Sequence, residues 1–441
     1  MIEGKDTLGG TPARETALAC VEAGLEAADP ERIVGETLSL DGSVLSVLDT
    51  EYDLDAFEEV VVLGGGNAAG RMAAAVEELL GDRIDRGAVV TDAPGETERI
   101  DQLPGDHPVP SERGVESART VLEMAESADE SSVVLVAITG GGSALMPAPA
   151  GDVSLADLQS VTEALLGSGA TIDEINAVRK HCSSIKGGHL ARKAAPGRVI
   201  GLLLSDVVGN DLSVIASGPT VPDETTYDEA RSLLSRYGID PPGTVRTRLE
   251  AGTAGEREET PDAEDPAFER VENHVLADGF TPLAAATEVA KGRGYGSLIL
   301  SSRIRGEARE AAKTNAAIAE EMRATGNPLS VPGVVVSGGE TTVTLRGEGT
   351  GGPNQEFALS AAIECAGMGD VALAAVDTDG IDGPTEFAGA LVTGETVEDL
   401  GVARGALAEN DVAPYLEERE ALVLTGPTGT NLNDLRVLVV E

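Results

Sequence analysis

The sequence predicts an α/β protein of two domains, the first built on a parallel sheet with helices on both faces. Short runs of Val, Leu and Ile alternate with helical patterns along the chain, and several of these runs open directly into glycine-rich turns. The 441 residues, of which 41% are hydrophobic, can fill two cores. Residues 252–265, rich in Gly, Thr, Glu and Asp, lie between a first domain at 1–250 and a second at 270–441.

The charge of the chain argues against several classes of partner. It carries 76 acidic residues against 32 basic ones, for a formal net charge of −44. So large a negative charge opposes binding to nucleic acid or to an anionic membrane, which leaves a small molecule as the expected partner. Lysine is scarce, tryptophan is absent and aromatic residues make up 2% of the chain, a composition typical of proteins adapted to concentrated salt.

Cysteine usage and hydropathy favour a cytoplasmic protein. The three cysteines, Cys20, Cys182 and Cys365, are far apart and form no CxxC pair or Cys/His cluster, so we expect reduced thiols that pack in the interior. No stretch resembles a signal peptide, and no apolar run approaches the roughly 20 residues of a membrane span. Homodimer formation is compatible with this picture.

The first candidate site is a strand, a glycine turn and a helix. The run 59–63 leads into Gly64, Gly65, Gly66 and Asn67, and a helix is predicted from residue 68 to 80. The amides at the start of that helix attract phosphate or carboxylate. With Gly70, the turn also reads GxGxxxG, and Asp92 ends the next strand, where the ribose of a dinucleotide could bind. A reductase and a purely structural turn therefore both stay open.

A second glycine turn follows the strand predicted at 133–138. Here Gly140, Gly141 and Gly142 are consecutive and Ser143 comes next. Three glycines in a row are costly in chain entropy, so we predict a close approach of backbone to a ligand phosphate, with the Ser143 hydroxyl as a further donor. The turn lacks the Lys-Ser/Thr ending of a Walker loop.

Basic residues are concentrated in residues 176–223, which hold three of the six lysines of the chain. Arg179, Lys180 and Lys186 recur at near-helical spacing and could present cations to an anion. After the strand predicted at 199–204, Asp206 stands where a parallel strand would end, a place suited to phosphate and metal chemistry. The alternative is a solvated basic helix followed by a turn.

The second domain contributes polar residues at three turns. One turn carries Glu340, the next carries Asn354, Gln355 and Glu356 at the start of a helix, and the third includes Asp379 within DTDGIDG. The carboxylates of the third turn could hold magnesium, although the same pattern is common in Asx turns. The three polar residues of the second turn could instead cap their helix.

Eight stretches, taken together, resemble the glycerate 2-kinase family, whose C-terminal part is called the MOFRL domain. They occur in the order of the family: GDHPVPSE, TGGGSALM, NAVRKHCSSIKGGHLA, LSDVVGNDLSVIASGPTVPD, SGGETTVTL, GGPNQEFAL, DTDGIDGPTEFAGA and TGPTGTNLNDL. The resemblance implies a Rossmann-like N-terminal αβα sandwich, a mixed α/β MOFRL-like C-terminal domain and an active-site cleft between them. It also implies ATP- and Mg²⁺-dependent phosphorylation of D-glycerate to 2-phosphoglycerate. Some members carry the name hydroxypyruvate reductase.

The resemblance and the residue chemistry together give a provisional assignment of roles. Phosphate binding is assigned to Gly64, Gly66, Asn67, Gly140, Gly141, Gly142 and Ser143. Catalysis is assigned to Lys180, Lys186, Asp206 and Asp379, with Asp206 and Asp379 also as metal ligands. Substrate binding is assigned to Glu340, Asn354, Gln355 and Glu356. The alternatives are an NAD(P)H-dependent hydroxypyruvate reductase and a non-catalytic nucleotide-binding relative.

Two positions depart from the pattern of the family. Asn67 stands where members commonly have lysine, and Pro353 stands where they commonly have arginine before Asn-Gln-Glu. Each departure removes a cation that the resemblance would assign to catalysis. Other cations of the chain would then have to compensate, or turnover would be low, or the substrate would differ.

Overall fold

The computed structural model describes residues 2–441, which divide into two α/β units. Residues 33–276 form one unit, called here the parallel unit. Residues 2–32 and 277–441 form the other, called the mixed unit. Two α/β units agree with the predicted fold class. No helix within residues 2–441 is both long enough and apolar enough to cross a membrane.

Sixteen α-helices and fifteen strands lie within the described residues. The helices are α1 (Lys5–Leu8), α2 (Pro12–Ala27), α3 (Pro30–Thr37), α4 (Ala69–Leu80), α5 (Glu112–Glu126), α6 (Gly142–Leu145), α7 (Leu155–Ser168), α8 (Ile172–His181), α9 (His189–Ala194), α10 (Tyr227–Arg236), α11 (Gly243–Thr253), α12 (Thr281–Gly292), α13 (Ala308–Thr325), α14 (Pro353–Glu364), α15 (Leu400–Ala408) and α16 (Val412–Glu417). The strands are β1 (Leu38–Asp41), β2 (Val44–Val47), β3 (Thr50–Asp53), β4 (Glu59–Gly65), β5 (Arg86–Thr91), β6 (Ile100–Pro104), β7 (Ser132–Ile138), β8 (Arg198–Leu204), β9 (Val271–Ala277), β10 (Gly296–Glu307), β11 (Gly333–Thr342), β12 (Val371–Asp377), β13 (Gly389–Thr393), β14 (Leu422–Val423) and β15 (Asp434–Val440).

The sheet of the parallel unit has the strand order β6-β5-β4-β7-β8-β9. Neighbours from β6 to β8 pair in parallel. Strands β4, β7 and β8 are buried along nearly their whole lengths, as expected for a sheet covered on both faces. Numbered from β4, this order is 3-2-1-4-5-6, the doubly wound order of dinucleotide-binding folds, so the Rossmann-like prediction is confirmed.

The order of this sheet reverses between β4 and β7. In open parallel sheets, ligands bind outside the carboxyl ends of the strands at such a reversal, because the loops there turn to opposite sides and leave a crevice. Both predicted glycine turns leave from these two strands, and Asp206 follows β8, the next strand along. The topology therefore places the candidate phosphate loops at the point where a ligand is expected.

A separate helical layer of the parallel unit holds α8 in place. Ile175 and Val178 of α8 belong to a buried cluster that also contains Leu158 of α7, Tyr227 of α10 and Leu249 of α11. The helix begins at a reciprocal cap, in which the side chains of the N-cap residue 171 and of residue 174 each accept from the backbone amide of the other. Packing and capping together fix the direction in which the polar residues of α8 project.

The mixed unit contains a second six-stranded sheet, in the order β10-β11-β15-β12-β13-β14. Only β10 and β11 pair in parallel, and the remaining neighbours are antiparallel. The last strand, β15, lies between β11 and β12 and contributes to two cores: Leu435 and Val437 pack on one face of the sheet, while Leu438 and Val440 pack on the other. The predicted mixed α/β character of this part is confirmed.

The predicted domain boundaries differ from the observed units at both ends of the first domain. Helix α2 packs in the mixed unit, where Leu18 and Leu25 share a buried cluster with Leu283 of α12 and Leu435 of β15. Strand β9, expected to begin the second domain, is instead the sixth strand of the first sheet. Local pattern shows that α2 is amphipathic, but it does not show which distant surface buries its apolar face.

Candidate active site

The loops after β4 and β7 are bonded to each other at the reversal of the parallel sheet. The backbone N–H of Asn67 donates to the carbonyl of Gly140 at 2.8 Å, and the N–H of Ala68 donates to Thr139 Oγ1 at 3.1 Å. A Cβ on Gly66 would collide with Thr139, and one on Gly64 would collide with the backbone of β7. The glycines of the first turn therefore allow the two loops to come into contact.

The second glycine turn is in contact with two predicted functional side chains. A Cβ on Gly140 would collide with the carboxylate of Asp206, and one on Gly141, whose φ is +77°, would collide with Asn67 Oδ1. Asn67 Nδ2 in turn donates to Asp92 Oδ2 at 2.8 Å. A side chain at either position would displace a neighbouring group whether or not a ligand binds, and the left-handed φ of Gly141 favours glycine there. An amide and a carboxylate thus lie directly beside the loop.

Lys186 joins the basic stretch to the second glycine turn. Its buried ammonium donates to the carbonyl of Ser143 at 2.7 Å. The hydroxyls of Ser143 and Ser217 are 2.6 Å apart, and Ser217 Oγ donates to Asn176 Oδ1 at 3.0 Å. Burial, followed by the positive charge of Arg179, lowers the pKa of Lys186 to about 7. Lys186, one of the predicted catalytic residues, thus contacts the second glycine turn directly.

Lys180 has a different environment, although it is only six positions away. Its ammonium donates to Asp223 Oδ1 at 3.1 Å, and both side chains are buried. Asp223 also accepts from Thr260 Oγ1 at 2.9 Å and from Thr225 Oγ1 at 3.0 Å. Lys180 is therefore the cation of a buried, hydrogen-bonded ion pair. This placement favours a structural role over the catalytic role that its spacing suggested.

Carboxylates crowd together in the mixed unit where β12 ends and β15 begins. Asp377 lies directly opposite Asp434 in the antiparallel register. Burial, then the charges of Asp379 and Asp434, raise the pKa of Asp377 well above its ordinary value. The pKa of Asp434 is also raised by burial, although Arg436 pairs with it and also donates to Thr341 Oγ1 at 2.8 Å. Placing several carboxyl groups close together in the interior costs free energy of folding, and such strongly shifted pKa values are common at functional sites.

Asp382 ties the start of α14 to this carboxylate cluster. It accepts from the backbone N–H of Asn354 at 2.9 Å and of Gln355 at 2.8 Å, so Asp382, and not the polar residues of the helix, provides the N-terminal cap. Burial nevertheless raises its pKa to about 7. Asn354 Nδ2 donates to Asp434 Oδ1 at 2.6 Å, while Asn354 Oδ1 and Gln355 Oε1 are buried without a partner. These two oxygens remain candidates for ligand contact.

Glu356 and Glu340 have contrasting environments. Glu356 is buried, and it accepts from Arg309 Nη2 at 2.7 Å and from Asn410 Nδ2 at 2.6 Å. With its oxygens occupied in this way, Glu356 is better explained as a structural ion-pair partner than as a substrate ligand. Glu340 is exposed near the end of β11, opposite Arg305 of β10 in the register.

Comparison with known proteins agrees with this architecture. A family described as a domain of unknown function (DUF4147) matches residues 16–250, and the MOFRL family matches residues 333–434. A D-glycerate 2-kinase from Thermotoga maritima is 39% identical over 430 residues, which cover 96% of this chain and 97% of that protein. The chain belongs to the glycerate 2-kinase family.

A solved structure and a second sequence are also similar to this chain. The crystal structure of a glycerate kinase from Thermotoga maritima superposes with a TM-score of 0.86 at 38% identity, covering 97% of this chain and 99% of the other. A protein from Agrobacterium vitis, provisionally named a hydroxypyruvate reductase, is 42% identical over 389 residues and covers 86% of this chain. Proteins with both names therefore share this sequence pattern.

The resemblance to glycerate 2-kinases implies a bound magnesium ion, but the described residues contain no ready-made cluster of metal ligands. Within residues 2–441, no group of three or more His, Cys, Asp or Glu side chains is arranged to hold a metal ion. The two predicted ligands belong to different units, Asp206 to the parallel unit and Asp379 to the mixed unit. Oxygen donors are nevertheless the type that Mg²⁺ prefers, and Mg²⁺ commonly takes only one or two protein carboxylates and completes its shell with substrate phosphates and water.

The structure adds Asn176, Ser217 and Asp434 to the residues that the sequence singled out. Asn176 precedes Arg179 by three positions on α8, so helical spacing alone could have placed both on one face. Ser217 lies in a left-handed conformation with φ of +63°, which its sequence does not reveal. Asp434 reaches the cluster because β15 lies beside β12, and no local pattern predicts that neighbour.

Proposed function

We propose that this chain transfers the terminal phosphoryl group of ATP to the 2-hydroxyl of D-glycerate and produces 2-phosphoglycerate. Membership of the glycerate 2-kinase family supports this reaction. The observation that carries the proposal is the meeting of two glycine turns at the reversal of the parallel sheet, with the ammonium of Lys186 bonded to the second turn. Phosphoryl transfer depends chiefly on such positioning and charge stabilisation.

The phosphates of ATP are assigned to the parallel unit. Helix α4 begins directly after the first glycine turn, and its dipole favours an anion there. In this proposal Gly64, Gly66 and Asn67 contact phosphate from one side, and Gly140, Gly141, Gly142 and Ser143 from the other. Lys186 stabilises negative charge on the transferred group, and Asp206, which packs against Gly140, orients the phosphates or their metal.

A magnesium ion would neutralise part of the phosphate charge when bound. Asp206 in the parallel unit and Asp379 in the mixed unit are each proposed as a carboxylate that could hold it. Both side chains are carboxylates, the type of ligand that Mg²⁺ prefers. Burial, and then the charge of Asp434, raise the pKa of Asp379, and a bound cation would favour its ionised form. Asp379 Oδ1 already accepts from the N–H of Ile381 at 2.7 Å, which fixes the orientation of the side chain.

Glycerate is assigned to polar groups that have unused hydrogen-bonding capacity. Asn354 Oδ1 and Gln355 Oε1 can accept from the hydroxyls of the substrate, and Glu340 is exposed and free to do the same. Glu356 supports them indirectly by fixing the first turn of α14 through Arg309.

The decisive experiment is a product assay. Protein is incubated with magnesium-ATP and D-glycerate in concentrated KCl, and the phosphorylated product is identified by phosphorus NMR. We expect 2-phosphoglycerate, and chelation of magnesium should abolish its formation. Oxidation of NADH or NADPH by hydroxypyruvate that survives chelation, together with no ADP formed from glycerate, would refute the proposal and favour the reductase. ATP binding without turnover would favour a nucleotide-binding protein that lacks activity.

A matched pair of variants tests the assigned site. Asp206→Asn removes the carboxylate beside Gly140 and should lower kcat by about 10²-fold or more. Asp101→Asn makes the same chemical change on an exposed position of β6 and should leave kcat unaltered. Equal effects of the two substitutions would count against a role for Asp206.

A further inference from the structure

Three donor side chains with incomplete hydrogen bonding meet beside the second glycine turn. Asn176 and Arg179 project from α8, and Lys186 comes from the loop that follows it. Asn176 and Lys186 are connected through hydroxyls, because Ser217 bonds both to Asn176 and to Ser143, whose carbonyl accepts from Lys186. Arg179 is close enough to Lys186 for its charge to act on it. All of these residues belong to the parallel unit.

Each of the three donors lacks acceptors. Asn176 is 3% exposed, and its Nδ2 is buried with no partner. Arg179 is half-buried and forms no ion pair with any residue in the described part of the chain. Lys186 has three N–H groups, and a carbonyl accepts one of them. An unsatisfied buried donor such as Asn176 Nδ2 costs about 1–3 kcal/mol, and with two incompletely bonded cations nearby it indicates a ligand that supplies acceptors.

The local charge is also unbalanced. Arg179 and Lys186 are close enough for the first to lower the pKa of the second. The carboxylate of Asp223 approaches the neighbouring Gly187, but it is already paired with Lys180. Two cations without a carboxylate partner are unusual in a chain with a net charge of −44, where acidic residues are abundant. An anion from outside the chain would balance this charge.

We propose that Asn176, Arg179 and Lys186 form a binding site for a small oxyanion, either the carboxylate of the hydroxy acid or the phosphoryl group that it receives. This inference rests on the proposed function for the identity of the ligand. The guanidinium of Arg179 matches the two oxygens of a carboxylate or a phosphate, Asn176 Nδ2 supplies a neutral donor, and Lys186 supplies a point charge. These three residues are called the oxyanion site below.

The oxyanion site would also supply positive charge that Asn67 and Pro353, as neutral residues, do not supply. Its Lys186 contacts the carbonyl of Ser143 directly. The oxyanion site would distinguish an acid from the corresponding alcohol, because glycerol offers no acceptor with negative charge and would leave the buried donors unpaired.

The test uses binding and kinetics on the full chain. Arg179→Gln removes the charge while keeping an amide, and Lys193→Gln is the matched control on α9, where the lysine is exposed and pairs with Glu126. Calorimetry without nucleotide measures Kd for D-glycerate and, in a separate arm, for inorganic phosphate. We expect Arg179→Gln to weaken at least one of these by about 10²-fold, with Lys193→Gln unchanged. Weaker glycerate binding identifies the carboxylate as the ligand group, and weaker phosphate binding identifies the phosphoryl group.

Arg179→Lys provides a second variant in case Arg179→Gln fails to fold. It keeps the charge but loses the planar fork, so we expect a Kd between those of wild type and Arg179→Gln. Unchanged Kd values for both anions in folded variants would overturn the inference, even if the kinase assay succeeds. Conversely, wild-type protein that binds the anion but forms no phosphorylated product would contradict the proposed function and leave the oxyanion site supported.

Discussion

Replacing Glu356 by glutamine should destabilise the protein more than it alters substrate binding. The carboxylate is almost completely buried, with 1% of its side chain exposed, and it accepts from Arg309 at 2.7 Å and from Asn410 at 2.6 Å. Glutamine keeps one acceptor oxygen but turns an amide toward these donors and leaves the guanidinium without a counter-charge. Breaking a buried ion pair in this way costs about 3–5 kcal/mol.

The expected loss can be measured as a change in melting temperature. For a unit of this size, each kcal/mol lowers Tm by about 2–4 °C, so Glu356→Gln should lower Tm by at least roughly 6–12 °C. Glu310→Gln on α13 removes the same charge from an exposed pair with Lys313, and it should change stability by about 0.5 kcal/mol or less. The KM for D-glycerate should stay near the wild-type value in the folded fraction. An increased KM at unchanged Tm would refute this reasoning and restore Glu356 as a substrate ligand.

Three further predictions follow from the two sites. The variant Asn67→Lys should raise kcat by up to about 10²-fold, because it places a cation at the first glycine turn, beside Asp92. A lower kcat at unchanged Tm would mean that the phosphate-binding site depends on Asn67 itself. Asp377→Asn should raise Tm by about 2–4 °C, because it removes a buried carboxyl group that lies opposite Asp434 and whose ionisation burial opposes; a lower Tm would assign Asp377 a structural role. Anion affinity should weaken about tenfold per pH unit above pH 7, because Lys186, whose pKa is about 7, loses its charge there. The variant Lys186→Arg should flatten this pH profile. A flat profile of the wild-type protein would exclude Lys186 from the oxyanion site.

The pH prediction depends on which charges surround Lys186. Arg179 disfavours its protonation, and the nearby ion pair of Lys180 with Asp223 has no net charge. A bound anion favours the protonated form, so it raises the pKa of Lys186 and takes up a proton on binding. As the pH rises through 7, the free protein loses the proton first, and binding then includes the cost of restoring it. The affinity consequently falls with rising pH.

Local sequence pattern was sufficient to predict the sheet of the parallel unit. Runs of buried aliphatic residues followed by glycine turns specify strands that end at ligand loops, and this information is contained within a few neighbouring residues. The sequence alone thus determined the fold class and the family.

Only the tertiary structure decided which of the similar side chains have free hydrogen-bonding capacity. Lys180 and Lys186 have the same chemistry and lie on the same stretch, but Lys180 is paired with Asp223, which lies 43 positions away along the chain. Asp434 opposes Asp377 because the last strand inserts between β11 and β12. Partners so distant in sequence are selected by long-range packing, and the periodicity of a single helix or strand contains no information about them.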